Sequence, residues 1–280
     1  MRTAELIAAW EAEERQPFSG WDFSYLHGRT KEELPPLRYD ARVVELMQRA
    51  QAALDLDTGG GECLLDFQPY WPARLYATEG YAPNLRLARE RLEVLGVQVF
   101  ELESSELVSL PFEDASFDLV LNRHGGCLPM REIARVLRPG ATLLTQQVHG
   151  LTLSDLLACF GATPQWPEAT PDYYLPRIAD AGLALVDTYE YSGTTEFFDV
   201  GAVVYFLRAI PWLVPGFSVS THTAALLALQ DRLDNGERLR FITRGYQIEA
   251  SHPLTSASLA CATQPEASQA RMRSGGSPAG

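Results

Sequence analysis

Short apolar runs alternate with amphipathic stretches through the first half of the chain. Five runs have the length and composition of buried strands, and they cover residues 52–56, 74–79, 97–101, 117–122 and 141–148. Helical spacing of apolar residues between them predicts helices near residues 39–50, 62–67, 84–95 and 129–137. This alternation predicts βαβ units, a parallel sheet and right-handed crossovers.

The pattern changes after residue 150. Helices are predicted near residues 153–160, 173–181, 200–209 and 223–235, with two long strand-like runs at 183–198 and 238–250. With short connections, the two runs are expected to pair antiparallel at the edge of the same sheet.

The chain divides into three predicted parts. Residues 1–39 carry a first helix and an aromatic segment, which either packs as a satellite core or forms a flap over a ligand. Residues 40–254 form the main domain, with substrate-cap elements expected within 151–236. Residues 255–280 are rich in Ser, Ala, Gly, Gln and Pro and are predicted to be a disordered tail.

Composition narrows the class of protein. An apolar content of 46% over 280 residues supports a sizeable core. The formal net charge of −13 argues against binding of nucleic acid through overall electrostatic attraction. No run approaches the roughly 18 apolar residues of a membrane span, and a cytoplasmic setting is expected. The pattern of widely spaced cysteines indicates neither a metal site nor a disulfide framework; they are Cys63, Cys127, Cys159 and Cys261.

The segment that organises the first half is Leu-Asp-Leu-Asp-Thr-Gly-Gly-Gly-Glu, residues 54–62. A buried strand that runs through a glycine-rich turn into a helix places backbone N–H groups beside a ligand. Such a turn alone is compatible with several nucleotide-binding proteins. An NAD(P)-dependent oxidoreductase is disfavoured, because no GxGxxG is present.

Three further segments follow in order: Glu79 after the second strand, Leu-Pro-Phe-Glu-Asp-Ala-Ser-Phe-Asp-Leu-Val at residues 110–120, and Glu-Ile-Ala-Arg-Val-Leu-Arg-Pro-Gly at residues 132–140. With the glycine turn, they resemble the class I S-adenosylmethionine (SAM)-dependent methyltransferases, specifically the type 11 methyltransferase-domain group, over roughly residues 40–150. The resemblance implies an α/β fold with a doubly wound, Rossmann-like sheet of seven strands. The first five strands would be parallel, one strand of the last pair antiparallel, and helices would cover both faces.

The resemblance also implies a site for SAM, with S-adenosylhomocysteine as the product. Glu79 matches the acidic residue that accepts both ribose hydroxyls, and Glu106 and Leu107 match the positions beside adenine. Asp55 matches the position that holds the loop or the cofactor's ammonium. The full set implied to bind the cofactor is Asp55, Asp57, Thr58, Gly59, Gly61, Glu79, Gly80, Glu106, Leu107 and Asn122.

Asp57 departs from the family pattern, which usually has glycine at this position. If the position needs positive φ, aspartate costs on the order of 1 kcal/mol there. Its carboxylate would repel the carboxylate of SAM and attract the ammonium and the sulfonium, so that weak affinity for the cofactor is one open outcome.

Asn122, Arg123 and His124 leave the fourth predicted strand near the expected methyl position. His124 is either a structural histidine or the candidate catalytic residue, since a neutral imidazole can serve as a general base for a hydroxyl or amine acceptor. The candidate acceptor-binding residues are Trp21, Tyr25, Arg123 and Trp212.

The sequence therefore predicts a SAM-dependent methyltransferase, monomeric or homodimeric, that acts on an unidentified acceptor. An aromatic lining favours a small molecule, and a nucleic-acid acceptor is disfavoured. The alternative is a methyltransferase-like binding module that binds SAM poorly or not at all.

Overall fold

The computed structural model describes residues 2–35, 38–126 and 128–254. The predicted tail, residues 255–280, lies outside the described residues. The strands are β1 (Thr30–Glu33), β2 (Ala52–Leu56), β3 (Arg74–Glu79), β4 (Gln98–Glu101), β5 (Phe117–Arg123), β6 (Leu137–Val148), β7 (Ala184–Phe197) and β8 (Leu239–Ser251). The α-helices of the described ranges are α1 (Arg2–Glu14), α2 (Tyr39–Arg49), α3 (Glu62–Asp66), α4 (Ala82–Leu92), α5 (Met130–Val136), α6 (Ser154–Cys159), α7 (Pro171–Asp180), α8 (Val200–Ala209) and α9 (Val219–Asp234).

The strands form one eight-stranded sheet in the order β1-β7-β8-β6-β5-β2-β3-β4. Strands β2 to β6 are parallel, whereas β8 runs antiparallel to both of its neighbours, β6 and β7. The predicted α/β fold with a Rossmann-like sheet is confirmed, as is the antiparallel pairing of the last two strands.

The sheet has one strand more than the seven that were predicted. The additional strand, β1, reads Thr-Lys-Glu-Glu and has mostly exposed side chains. Its backbone pairs antiparallel with β7, from Thr30 opposite Phe197 to Glu33 opposite Thr194. Since no apolar alternation marks this segment, hydrophobic patterning could not reveal it.

Helices cover both faces of the sheet, and the central strands β2 and β5 bury most of their side chains against them. On β5, Val120 packs into the core formed with α5 and α7, and its neighbour Leu119 packs into the core formed with α2 and α4. On β6, Leu143 and Leu144 divide in the same way. Consecutive side chains of a strand point to opposite faces, which explains why these strands read as continuous apolar runs.

A third core forms a cap at the carboxyl edge of the sheet. The β7–β8 pairing continues to Phe197 opposite Leu239, whereas the β6–β8 pairing stops at Val148 opposite Gly245. The hairpin therefore extends beyond the carboxyl end of β6. Side chains of α1, α6, α8 and α9 pack on this extension, so the N-terminal helix and the elements within residues 151–236 share one core. None of the helices in the described ranges combines the length and apolar composition needed to cross a bilayer.

Candidate functional site

The glycine-rich turn after β2 forms the floor of the candidate site. Asp57, Gly59 and Gly61 all adopt positive φ, with values of 56°, 64° and 85°. The N–H of Thr58 donates to the carbonyl of Thr78, near the end of β3, at 2.9 Å. The turn is thus fixed against the adjacent strand, and its backbone conformation is one that glycine adopts without strain.

Asp57 takes the left-handed conformation in place of glycine, at a cost on the order of 1 kcal/mol. Its carboxylate accepts hydrogen bonds from the hydroxyl of Ser104 and from the N–H of Gly126 at 3.0 Å. Burial raises the pKa of this carboxyl group above its usual range. Asp57 therefore connects the loops after β4 and β5 to the glycine turn through hydrogen bonds.

Glu79 ends β3 beside this turn and is buried. Its carboxylate accepts a hydrogen bond from the N–H of Tyr81 at 2.7 Å. Burial raises the pKa of Glu79, and the nearby charge of Asp57 raises it further. A Cβ on Gly80 would lie 2.7 Å from the Cα of Glu103, so the loop after β4 packs directly on Gly80.

Asp55 lies on β2 and is buried as well. Burial raises the pKa of its carboxyl group to about 7, and the charges of Asp57 and Glu79 act in the same direction. The ends of β2 and β3 thus bring three carboxyl groups together, as expected where parallel strands end at one edge of a sheet.

Only a narrow cavity, of about 10 Å³, remains between these loops. It is lined by Leu56, Asp57, Thr78, Leu102, Glu103, Ser104, Val108, Leu110 and Pro129. A volume of this size holds about one water molecule. A larger ligand can enter only when the contacts that Asp57 makes across the site open.

Glu106 and Leu107 do not line this cavity. Glu106 accepts a hydrogen bond from the hydroxyl of Tyr173 at 2.5 Å and lies 3.6 Å from the Nε of Arg177. The side chain of Leu107 is almost fully exposed. The structure therefore places Glu106 beside α7, and it leaves Leu107 exposed to solvent.

Glu103 and Ser104 occupy the position beside the turn instead, and the sequence-based prediction missed them. They follow Glu101, the last residue of β4. Polar residues directly after a parallel strand were the signal that could have found them.

Asn122, at the end of β5, is fully buried, and its amide is occupied by the protein itself. Its Nδ2 donates to the carbonyl of Leu56 at 2.9 Å. Its Oδ1 accepts from Thr145 at 3.3 Å and from the amide of Gln147. Asn122 thus positions the end of β2 and of β6, so any contact with a ligand would be additional to these bonds.

Arg123 and His124 follow Asn122 at the carboxyl edge of the sheet. The guanidinium of Arg123 lies 3.4 Å from Asp40 and 5.5 Å from the ring centre of Tyr39. His124 has a φ of 55° and donates its N–H to Gln146 at 2.8 Å. The side chain of His124 is exposed to solvent, and desolvation together with the charge of Arg123 lowers the pKa of its imidazole. His124 is therefore neutral at pH 7, and the lowered pKa makes it a weak base.

Two of the predicted acceptor-side aromatics meet above the glycine turn. The Cδ1 atom of Trp21 lies 2.8 Å from where a Cβ on Gly59 would be. The Trp21 ring packs edge-on against Trp212, with centroids 5.8 Å apart. Tyr25 lies apart from them, against Tyr205 with ring centroids at 4.6 Å.

Comparisons with known proteins agree with this geometry. The family model of the methyltransferase domain matches residues 54–145. A candidate methyltransferase of Bacillus halodurans C-125 superposes with a TM-score of 0.53 at 18% identity, covering 76% of this chain and 96% of that one. A functionally unknown protein of Deinococcus radiodurans R1 gives 0.54 at 16% identity, covering 90% and 100%. The YcgJ protein of Bacillus subtilis gives 0.52 at 16% identity, covering 77% and 98%. No curated protein matches the chain.

Residues 54–145 of the chain therefore match the methyltransferase domain, and the solved structures share its fold. The matched segment begins on β2 and ends on β6. It includes the glycine turn, Glu79 and Asn122, whereas the cap and β8 lie outside it.

Proposed function

We propose that this protein is a SAM-dependent methyltransferase that acts on a small molecule. The observation that carries the proposal is the position of Glu79. Its carboxylate ends a parallel strand directly beside a glycine turn with positive φ at Gly59 and Gly61. A carboxylate offers two acceptor oxygens, which suits a pair of ribose hydroxyls.

The residues present also suit a cationic cofactor. SAM would supply a methyl group carried on a positively charged sulfonium. Asp55 places a buried carboxyl group beside the turn, and a cation next to it would favour its ionised form. Its role would be to hold and orient the charged end of the cofactor.

His124 is the residue proposed to receive a proton from the acceptor. Its imidazole is neutral at pH 7 because desolvation lowers its pKa. It leaves β5 at the carboxyl edge of the sheet, where ligands bind in open α/β folds. A hydroxyl or amine acceptor needs such a base, whereas a thiolate acceptor does not.

A small acceptor is favoured by the cap. Trp21 and Trp212 cover the glycine turn, and aromatic linings of this kind are typical of sites for small organic ligands. The net charge of −13 disfavours nucleic acid. We also propose a cytoplasmic location for the protein.

The test is calorimetric titration with S-adenosylhomocysteine. The wild-type protein should bind it with micromolar affinity, and Glu79→Ala should weaken binding by about a hundredfold, because two charge-assisted hydrogen bonds are lost. Glu113→Ala is the matched control, since Glu113 is exposed on the loop before β5. Far-UV circular dichroism would establish that each variant is folded.

The second candidate is a methyltransferase-like binding module. It is favoured by the contacts of Asp57 with Ser104 and Gly126, which leave little room beside the glycine turn. If a folded wild-type protein shows no heat of binding with either SAM or S-adenosylhomocysteine, the module replaces the enzyme as the better proposal.

A further inference from the structure

A second cavity lies where the β7–β8 hairpin leaves the sheet. Its volume is about 170 Å³, and it is lined by His149, Glu190, Tyr191, Ser192 and Arg244. His149 follows the last residue of β6, and its N–H donates to the carbonyl of Arg244 at 3.1 Å. The cavity thus lies at the carboxyl edge of the sheet, between the methyltransferase core and the cap.

His149 is buried, with 8% of its surface exposed, and one of its ring nitrogens is fixed as an acceptor. Nδ1 accepts the N–H of Leu151 at 3.0 Å, so the neutral ring carries its proton on Nε2. Burial lowers the pKa of His149, an effect that Arg244 adds to and Glu190 opposes. The neutral Nε2–H is therefore the form present at pH 7.

The Nε2–H of His149 has no hydrogen-bond partner among the described residues. The carboxylate of Glu190 lies 3.7 Å from this nitrogen, which is beyond hydrogen-bonding distance. The nitrogen is not among the fully buried polar atoms that lack a partner, so it is open to the cavity. A ligand atom in the cavity can accept this hydrogen in place of water.

Glu190 and Arg244 line the same cavity with opposite charges, but they form no ion pair with each other. Arg244 pairs in register with Ser192, and Glu190 pairs with Tyr246, two residues further along the strands. Within residues 2–35, 38–126 and 128–254, the guanidinium of Arg244 has no carboxylate partner. The cavity therefore presents an unpaired cation and a largely unpaired anion at separate points of its wall.

We propose that this cavity binds the methyl acceptor, and that the acceptor is a small zwitterion carrying a carboxylate and an ammonium group. The carboxylate binds Arg244 and the Nε2–H of His149, and the ammonium binds Glu190. This proposal rests on the proposed function for its role in methylation, but its ligand chemistry comes from the cavity alone.

Size and position agree with this assignment. A cavity of about 150 Å³ accommodates a benzene-sized molecule. By comparison, the volume of about 170 Å³ fits a ligand of roughly six to eight heavy atoms. Gln147, whose amide donates to Asn122, precedes His149 by two residues, which is about 7 Å of strand. Thr145 lies opposite Asn122 in the sheet, and His149 follows Thr145 by four residues. The cavity is therefore at the same edge of the sheet as the end of β5, about 13 Å beyond it along the strand direction.

The test uses three matched probes: 4-aminobutyrate, butyrate and butylamine. Binding is measured by ligand-observed NMR titration of the full chain at pH 7.5. We expect 4-aminobutyrate to bind about tenfold more tightly than either singly charged probe, because only it satisfies both charges. Equal binding of the three probes, or binding of none, would overturn the proposal.

Two variants assign the charges. Arg244→Gln should weaken 4-aminobutyrate about tenfold and leave butylamine unchanged, and Glu190→Gln should weaken 4-aminobutyrate and leave butyrate unchanged. Arg208→Gln is the matched control, since Arg208 is exposed on α8. An effect of Arg244→Gln no larger than that of the control would contradict the proposed contact.

The role in methylation has a separate readout. With S-adenosylhomocysteine and 4-aminobutyrate both bound, interligand nuclear Overhauser effects should connect them, because an acceptor must approach the sulfur. Absence of that signal, with both ligands bound, would refute the acceptor assignment. If S-adenosylhomocysteine fails to bind while 4-aminobutyrate still binds, the proposed function fails and the zwitterion site stands.

Discussion

The carboxylate of Asp57 accepts a hydrogen bond from the hydroxyl of Ser104, across the space beside the glycine turn. One residue thus supplies both an unusual positive φ and a contact that closes the loop after β4 over the turn. The cavity beside this contact has a volume of about 10 Å³. The first prediction concerns this contact.

Asp57→Gly should increase the affinity for S-adenosylhomocysteine by about tenfold. Binding to the wild-type protein must break two hydrogen bonds of Asp57, each worth about 1 kcal/mol, and the variant has neither. Calorimetric titration measures the change. Ser104→Ala removes one of the two bonds and should give a smaller gain in the same direction. Unchanged or weaker binding by Asp57→Gly would show that the contacts do not compete with the ligand.

Asp55 predicts how stability depends on pH. Its pKa is about 7 in the folded protein, raised mainly by burial, against an ordinary value of 3.8. Between these values the folded chain holds a proton that the unfolded chain has released, so the free energy of unfolding falls as pH rises from about 4 to about 7.

Asp55→Asn should remove this contribution, which is on the order of 2 kcal/mol. Urea denaturation at pH 5 and pH 8 measures it as a smaller difference between the two pH values in the variant. Asp187→Asn is the control, since Asp187 is exposed on β7. If Asp55→Asn keeps the wild-type difference, another group is responsible for the pH dependence.

Trp21 should slow the release of a bound cofactor product. Its indole lies against Gly59 and Trp212, so it covers the glycine turn from the cap side. Trp21→Ala should raise the dissociation rate of S-adenosylhomocysteine by about tenfold, as expected when a lid residue is removed. Stopped-flow displacement measures this rate, and Trp166→Ala provides an exposed tryptophan as the control. Equal rates in the two variants would mean that Trp21 is not a lid.

Arg135 should stabilise the loop before β5. Its guanidinium donates to the carbonyls of Phe112 at 2.7 Å and Leu110 at 3.0 Å, and it pairs with Glu132 at 2.6 Å. Arg135→Ala should lower the free energy of unfolding by about 2 kcal/mol, because two carbonyls and a carboxylate lose a charged donor. Urea denaturation at pH 7 tests this, with Arg86→Ala expected to cost about 0.5 kcal/mol or less as a surface pair. Equal costs for the two substitutions would contradict it.

Hydrophobic patterning predicted the fold closely where side chains decide the structure. The helix predicted at residues 200–209 is α8, with the same bounds. Nearly all of its residues are buried, and burial is what a strongly apolar segment indicates. The strand β1 was missed because its pairing with β7 uses backbone groups, which a polar sequence does not reveal. The hydrophobic pattern of a sequence indicates which side chains are buried, and the side chains of β1 are mostly exposed.

The candidate site was predicted in part. Asp55, Asp57 and Glu79 were predicted to lie together, because each lies on a parallel strand or in the turn directly after one. Glu106 was chosen by its distance from the Leu-Pro-Phe segment, but the intervening loop places Glu103 at the turn. The bond between Asp57 and Ser104 depends on the positions of two loops from different strands, which the spacing of residues along one chain does not determine.

The strand β8 lies between β6 and β7 in the sheet, although it follows both of them along the chain. During synthesis, β6 and β7 emerge well before the strand that must fill the gap between them. The sheet, the cap and the cavity between them can therefore be completed only after residue 251 has left the ribosome. Such long-range closure is slow relative to local folding, so the exposed edges of β6 and β7 are where a nascent chain would most need protection from aggregation.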